Sequence, residues 1–211
     1  MERLLSVQHG EKFNTFSHLL GGLFAFVGVA LLMYLAVARH DVPRILTFTI
    51  YGVSTVLIYI LSVLYHSAHG EQKRMFQRLD YIGIYFKIAG NYTPYMILAI
   101  SGLAGYSVLF VVWGLALLGI YLEVFRKPKR AIMRNVLYVT MSATVIPVLS
   151  QLYHAVSLWG FTLIMLGFLA YAVGFIFFLF DEKIKHGHGI WHMFVITGSM
   201  CQYLCLLMYV A

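Results

Sequence analysis

Long apolar stretches alternate with short polar loops along this chain. Seven of the stretches are long enough to cross a bilayer as a helix, which takes about 20 apolar residues. They cover residues 16–38, 44–67, 79–100, 106–125, 134–154, 158–180 and 188–211. Short loops favour antiparallel neighbours in a compact bundle. The pattern therefore predicts an all-α integral membrane protein, a seven-transmembrane-helix bundle forming a single domain over residues 1–211, with residues 1–15 as a segment before the first span.

Two prolines lie within predicted spans. Pro94 falls in the third span and Pro147 in the fifth. Proline lacks a backbone N–H and its ring clashes with the preceding turn, so both helices should kink. A membrane bundle tolerates such kinks when neighbouring helices satisfy the freed carbonyl groups. We therefore expect a departure from regular α-helix at each proline.

The composition agrees with a membrane location. Of the 211 residues, 61% are hydrophobic and 11% are charged, whereas a soluble domain has about 45–50% and about 25%. The net charge of +7 raises the question of nucleic-acid binding. The basic residues lie in short loops between apolar stretches, however, so membrane topology and anionic lipid headgroups explain them better. We therefore expect a lipid bilayer, and no nucleic acid, as the partner.

The basic residues are distributed unevenly between the two sides of the predicted bundle. Twelve lie on the side of the N-terminus: Arg3, Lys12, Lys73, Arg74, Arg78, Arg126, Lys127, Lys129, Arg130, Arg134, Lys183 and Lys185. The opposite side has Arg39 and Arg44, and Lys87 lies within a span. The positive-inside rule then predicts a cytoplasmic N-terminus and a C-terminus outside, in a multi-pass protein of the plasma membrane, the inner membrane in a bacterium. Rhodopsin-type receptors have the opposite orientation, which argues against that class.

Polar residues gather at the ends of three predicted spans. The second span ends with Ser62 and His66, which lie four residues apart and share a helix face. The third begins with Asp80, and the seventh begins with His188 and His192, again four apart. In a seven-pass topology all three ends lie on the cytoplasmic side. Ionisable residues inside spans cost about 2.5–3.5 kcal/mol each on insertion scales, so they indicate a functional site.

Three neutral imidazoles from two helices, with a fourth position open to water, match the ligand count of a catalytic zinc site. We therefore predict His66, His188 and His192 as ligands of Zn²⁺. Asp80 is expected to hold the bound water and accept a proton, although it could also ligate directly. Ser62 can hydrogen-bond that water or a polarised carbonyl. Simpler interpretations stay open: His66 reaching the headgroups, Asp80 stabilising a helix start, and Ser62 packing between helices.

A second group of polar residues precedes the first span. Glu11, Asn14 and His18 fall on one helical face on the predicted cytoplasmic side. They can cap and anchor the first helix. Alternatively, they pack beside the histidines and orient them. The sequence does not choose between these two interpretations.

Lys87 is an unusual residue for the interior of a span. It lies seven residues after Asp80 on nearly the same helix face, and Asn91 continues that stripe. A lysine at this depth needs a partner or a water-filled cavity. Asp80 and Glu123 are both possible partners.

Taken together, the motifs resemble one family of membrane proteins. The resemblance depends on Glu11, Asn14, Ser17 and His18 at the first span, Ser62, Tyr65 and His66 closing the second, Leu79 and Asp80 opening the third, and His188 and His192 opening the seventh. They resemble the hemolysin III group of bacterial membrane proteins, which is related to the progestin and adipoQ receptors, including the adiponectin receptors. The resemblance covers essentially the whole chain.

The resemblance implies a fold, a cofactor and several functions. It implies seven helices with a cytoplasmic N-terminus, and a zinc ion held by His66, His188 and His192, with Asp80 and Ser62 around the bound water. Adiponectin receptors are associated with hydrolysis of ceramide-like amides. Bacterial members are named for haemolysis, described as pore-forming or cytolytic, and linked to membrane lipid homeostasis.

Three hypotheses follow. The first is a zinc-dependent hydrolase that acts on an amide or ester of a membrane lipid or other fatty-acyl substrate. The second is a membrane receptor or regulator in which zinc is structural. The third is a pore-forming cytolytic protein, but we find no polar stripe that could line a lumen through all seven spans. Dye release from liposomes tests the third hypothesis.

Overall fold

The computed structural model describes residues 9–125 and 130–211, and the regular elements within these ranges are all helical. The helices are α1 (Lys12–Ala38), α2 (Val42–Ser67), α3 (Gly70–Pro94), α4 (Gly102–Phe125), α5 (Arg130–Ala143), α6 (Leu149–Leu179) and α7 (Gly187–Cys205). The predicted all-α class is confirmed. The beginning of the predicted N-terminal segment, with Arg3, lies outside the described residues, as do Arg126, Lys127 and Lys129.

The helix count differs from the predicted seven spans. A 3₁₀ turn at Ile146–Val148 joins α5 to α6, so that Ala131–Leu179 is one helical stretch of 49 residues. Within residues 9–125 and 130–211 there are thus six separate helical bodies, of which five are long and apolar enough to cross a membrane. α3 is not among the five, since Asp80, Lys87 and Asn91 reduce its apolar content.

The long stretch from α5 to α6 is nevertheless broken internally. Ser157 has a φ of 64° and a ψ of 171°, which no α-helical residue adopts. This residue lies between positions 154 and 158, where the hydrophobic pattern predicts that one span ends and the next begins. The predicted boundary is therefore marked by a change of backbone direction at a single residue.

Both prolines lie where regular α-helix ends. Pro94 closes α3 and is followed by a π-helical turn at Tyr95–Ile100. Pro147 lies within the 3₁₀ turn between α5 and α6. Because proline cannot donate a backbone hydrogen bond, the chain changes to a wider or tighter turn at these points. The predicted departures from α-helix are confirmed.

Helix packing brings the first and last helices together. α2 packs along both α1 and α3, while α7 packs along α6 and also contacts α1. The start of α1, the end of α2 and the start of α7 therefore meet at one end of the bundle. These are the segments that contain the predicted metal ligands and the polar residues before the first span.

α2 and α3 approach each other closely at Gly90. A Cβ atom there would lie 2.1 Å from Ser54 Oγ and 2.7 Å from Ser54 Cβ. Small residues at such positions allow membrane helices to pack with their backbones in near contact. This contact fixes the position of the polar stripe on α3 relative to α2.

The outer surface of the bundle is strongly apolar. Large hydrophobic side chains stand exposed on different helices, including Phe16 (63%), Phe110 (82%) and Trp159 (71%). In contrast, the interior contains buried polar residues such as Lys87 and Gln202. A surface of this kind would be unfavourable in water and is suited to hydrocarbon.

Candidate metal centre

The three predicted metal ligands lie together at the end of the bundle where α2 ends and α7 begins. The ring centroids are 5.0 Å apart for His66 and His188, 4.9 Å for His66 and His192, and 4.8 Å for His188 and His192. One nitrogen from each ring lies within 4.8 Å of the others. His66 and His192 are buried, and His188 is half-buried. The arrangement can hold a metal ion, as the sequence predicts.

Glu11 determines the protonation of the His66 ring. His66 Nδ1 lies 2.7 Å from Glu11 Oε2. An ionised carboxylate can only accept hydrogen bonds, so His66 Nδ1 is the donor. In the neutral ring the lone pair is then on Nε2. Nε2 is buried and has no hydrogen-bond partner among the described residues. A bound cation would satisfy this nitrogen, so the residues present fit a metal ion.

His188 has a similar carboxylate partner. Its Nδ1 lies 2.8 Å from Asp181 Oδ2, in the loop before α7. His186 adopts a left-handed φ of 62° in this loop, which directs the chain into α7 and brings Asp181 back beside His188. Metal-bound histidines usually donate their other N–H to a carboxylate, a carbonyl or water. Ser17 Oγ lies 3.4 Å from Nδ1 of the third ring, His192.

Glu11 also connects the start of α1 to α3. Its carboxylate accepts from Lys73 Nζ at 2.5 Å and from Asn14 Nδ2 at 3.0 Å. Burial acts to raise the pKa of Glu11, but the hydrogen bonds from His66, Lys73 and Asn14 outweigh it and hold the pKa well below its usual range. Glu11 makes no side-chain capping bond to α1. Of the two interpretations of this group, contact with the histidines is therefore the one observed.

His18 and Ser62 form a pair beside the cluster. His18 Nδ1 lies 2.7 Å from Ser62 Oγ, and the His18 ring stacks on His192 with centroids 3.5 Å apart. His18 Nε2 is buried without a hydrogen-bond partner in the described part of the chain. His18 is not in the group of three histidines that could share a metal ion. It instead supports His192 and holds Ser62.

Asp80 is buried and lines the same cavity as Ser62, His188 and His192. It does not belong to the group that could share a metal ion. Direct ligation by Asp80 therefore has no support from this geometry. Its role in accepting a proton stays a prediction.

A cavity of 450 Å³ extends from the histidines into the bundle. His188 and His192 line one end of it, and His66 lies beside them; we call His66, His188 and His192, with Glu11 and Asp181 behind them, the histidine end. The walls beyond it are largely apolar and aromatic, with Ile84, Ile88, Phe168, Phe175 and Trp191 among them. Lys87, Asn91 and Gln202 also line the cavity, and we call this part the deep end. The shape and lining are those of a site for a largely apolar ligand with a polar head.

Lys87 has neither of its two suggested partners. Its ammonium donates to Thr55 Oγ1 at 3.0 Å and lies over the ring of Tyr51, 4.8 Å from the centroid. Glu123 lies 3.6 Å from the guanidinium of Arg134. Lys87 therefore contacts a hydroxyl and an aromatic ring on α2, and the suggested pairing with Asp80 or Glu123 is not observed.

Asp181 and Lys73 are the site residues that sequence reasoning missed. Asp181 precedes His188 by seven residues at the end of an apolar stretch, and Lys73 contributed only to the count of basic residues. An acidic residue in the short loop before a histidine pair was the available signal for Asp181. Its contact depends on the loop conformation, which spacing alone does not determine.

The fold and the site define a class: a multi-pass, all-helical membrane protein with a histidine cluster that can hold a metal ion at one end of an internal cavity. The family model described as Haemolysin-III related matches residues 6–203. The chain belongs to this family, and the resemblance seen in the sequence is confirmed. It is an integral multi-pass membrane protein with bacterial homologues.

Individual relatives agree with this assignment. Hemolysin-3 of Bacillus cereus is 34% identical over 211 residues, covering 100% of this chain and 96% of the relative. The Hemolysin-3 homolog of Bacillus subtilis (strain 168) is 36% identical over 200 residues, covering 94% and 93%. The human Monocyte to macrophage differentiation factor is 28% identical over 203 residues, covering 93% and 82%. This last similarity agrees with the expected relationship to the progestin and adipoQ receptors.

Proposed function

We propose that the chain is a single seven-pass domain over residues 1–211 with its N-terminus in the cytoplasm. The stretch Ala131–Leu179 has 49 residues, which at about 1.5 Å per residue is more than twice the hydrocarbon thickness of about 30 Å. The break at Ser157 supports two passes within it. The excess of basic residues on the side of the N-terminus supports the orientation.

We further propose that His66, His188 and His192 hold Zn²⁺. Three imidazole nitrogens with an open fourth position suit zinc better than harder cations, which prefer oxygen. The carboxylates of Glu11 and Asp181 orient two of the rings and add negative charge behind them. When bound, zinc would polarise a carbonyl and lower the pKa of water to about 7.

The reaction that we propose is hydrolysis of a lipid amide or ester. Asp80 accepts the proton of the attacking water and returns it to the leaving group. Ser62 donates from Oγ to the carbonyl oxygen as negative charge develops there. His18 supports this role in the tautomer protonated at Nδ1, which donates to Ser62 Oγ and leaves the hydroxyl proton for the carbonyl oxygen. The apolar walls of the cavity hold the acyl chain and exclude water.

One observation carries this proposal: a single cavity joins the histidine end to an apolar interior. A purely structural metal site needs no such connection, whereas a lipid hydrolase needs the acyl chain and the reacting carbonyl in one continuous space. The product in that case is a fatty acid, which links the activity to membrane lipid homeostasis.

The test is metal content and lipid turnover of the purified protein. Wild type should contain one zinc per chain by elemental analysis and hydrolyse a member of a panel of lipid amides and esters. His192→Ala should lose both. His154→Ala is the matched control, because His154 is exposed and distant in sequence from the cluster. Zinc and turnover unchanged in His192→Ala would refute the proposal.

A second candidate is a zinc-stabilised receptor or regulator without catalysis. The contacts of Glu11 with Lys73 and His66 favour it, since they tie α1, α2 and α3 together around the cluster. Asp80→Asn separates the two candidates. It should abolish turnover by a hydrolase while leaving zinc bound, and it should leave the signalling of a regulator intact.

A further inference from the structure

Lys87 provides a buried cation that the proposed reaction does not use. Its side chain is 8% exposed and lines the cavity. An ammonium has three N–H donors, and one of them is used by Thr55. Within residues 9–125 and 130–211, no carboxylate lies within ion-pair distance of it. Lys87 can therefore donate to a further acceptor.

Asn91 provides a buried acceptor one turn further along α3. Its Nδ2 donates to Gln202 Oε1, which fixes the orientation of the amide. Its Oδ1 is buried and receives no hydrogen bond from any described residue. A buried acceptor without a donor is destabilising unless something else supplies the proton. The Asn91 side chain also lines the cavity.

The two groups lie on one face of α3, since residues four apart are neighbours on a helix. Both residues line the cavity, so a donor and an acceptor with unused hydrogen-bonding capacity lie beside the same space. A hydroxyl satisfies both from a single atom, since its oxygen accepts and its proton is donated. A methylene does neither, and a carboxylate accepts but cannot donate.

We propose that Lys87 and Asn91 form a second polar subsite, which binds a hydroxyl group partway along an acyl chain. The ligand class is therefore a hydroxylated fatty-acyl lipid. This inference rests on the proposed function in one respect: the acyl carbonyl lies at the histidine end. The hydroxyl then accepts from Lys87 Nζ and donates to Asn91 Oδ1.

The depth of the subsite sets the position of the hydroxyl. Lys87 follows Asp80 by seven residues on α3, an axial distance of about 10 Å. An extended carbon chain advances about 1.3 Å per bond, given C–C bonds of about 1.5 Å. With the hydroxyl between Lys87 and Asn91, it should be on about the ninth or tenth carbon, counting the reacting carbonyl as the first.

The experiment compares two acids on purified protein in nanodiscs. Octadecanoic acid and 10-hydroxyoctadecanoic acid each compete against a fluorescent fatty acid. Wild type should bind the hydroxy acid about tenfold more tightly or better, as expected for hydrogen bonds that include a charged donor. Lys87→Met and Asn91→Leu, tested separately, should each remove most of this preference while binding of octadecanoic acid stays unchanged.

Two controls isolate the subsite. Ile88→Met alters an apolar wall residue between the two polar groups and should keep the preference. 3-Hydroxyoctadecanoic acid, with its hydroxyl near the carboxylate, should show no preference that depends on Lys87.

The outcomes separate this inference from the proposed function. All binding is repeated in His192→Ala, where a metal cannot hold the carboxylate. A preference that persists there supports the subsite whatever the reaction, and a wild type that shows the preference but hydrolyses no lipid refutes the hydrolase alone. Equal binding of the two acids by wild type overturns the subsite and indicates that water fills it. Equal loss of both acids in Lys87→Met also overturns it, because Lys87 would then be structural.

Discussion

The two ends of the cavity differ in the partners of their polar side chains. At the histidine end, His66 and His188 each have a carboxylate partner within 2.8 Å. At the deep end, Lys87 has one hydroxyl and an aromatic face, and Asn91 Oδ1 has no partner among the described residues. The first region is built in advance around its ligand nitrogens. In the second, no described carboxylate lies within ion-pair distance of the buried cation.

The difference fits the ligand that we propose for each end. A metal site needs its ligands oriented before the ion arrives, because two or three rings must present lone pairs to one point. A lipid subsite needs unfilled hydrogen-bonding capacity, which the ligand completes. The same physical rule, that buried polar groups require partners, thus suits the proposed metal at one end and the proposed organic ligand at the other.

The largest effect should come from stripping metal from the histidine end. Wild type treated with a chelator should lose about 4 kcal/mol of stability, the contribution of a ligand present at about 1,000 times its Kd. The measurement is the melting temperature with and without chelator. His66→Ala should not respond to chelator at all. A wild-type melting temperature that does not change when chelator is added would contradict a metal site.

Removing the carboxylates behind the rings should have the next largest effect. Glu11→Gln and Asp181→Asn should each lower zinc affinity about 10-fold to 100-fold, since these groups orient the ligand rings. Competition with a fluorescent zinc chelator measures this. The neighbouring Glu182 is exposed, so Glu182→Gln should leave the affinity unchanged. An equal effect of all three changes would indicate loss of general negative charge.

Crowding α3 against α2 should disturb the deep end more than the histidine end. Gly90→Ala should cost about 1–3 kcal/mol, because the added methyl overlaps Ser54. Gly114→Ala is the matched control, since nothing lies within 4 Å of a Cβ there. Thermal unfolding measures both. Zinc affinity of Gly90→Ala should stay near that of wild type, and a large loss would mean that the two ends are not separable.

The smallest effect should come from Thr55→Val, which keeps the shape of the side chain but removes the acceptor for Lys87. We expect a loss of about 1 kcal/mol, the usual net value of one hydrogen bond. Thr49→Val, on the exposed face of the same helix, should change stability by less than about 0.5 kcal/mol. In a Lys87→Met background the Thr55 effect should shrink, and a full effect there would show that Thr55 acts independently of Lys87.

The histidine end could be predicted from sequence because helix spacing and alternating span direction are both simple rules. Spacing places His188 above His192 on one face, and alternation brings His66 to the same end of the bundle. These two rules are enough to bring the three histidines together as candidate metal ligands. The roles of Asp80 and Ser62 depend on a bound substrate and stay predictions.

Other features depend on geometry that no spacing rule determines. The contact of Asp181 with His188 requires a left-handed residue at His186. The Thr55 partner of Lys87 depends on the rotation of α3 against α2. The number of separate helical bodies depends on whether a short turn and one residue, Ser157, interrupt hydrogen bonding enough to end a helix. Each is a local conformation that depends on tertiary packing.

The contact between α1 and α7 has a consequence for biosynthesis. Two of the three clustered histidines lie in the last helix, and Glu11 lies before the first. A nascent chain in which α7 has not yet been inserted contains only one histidine of the cluster, His66. Any metal held there is therefore acquired after α7 has left the ribosome and joined the bundle. Zinc loading would then report that insertion of the whole chain is complete.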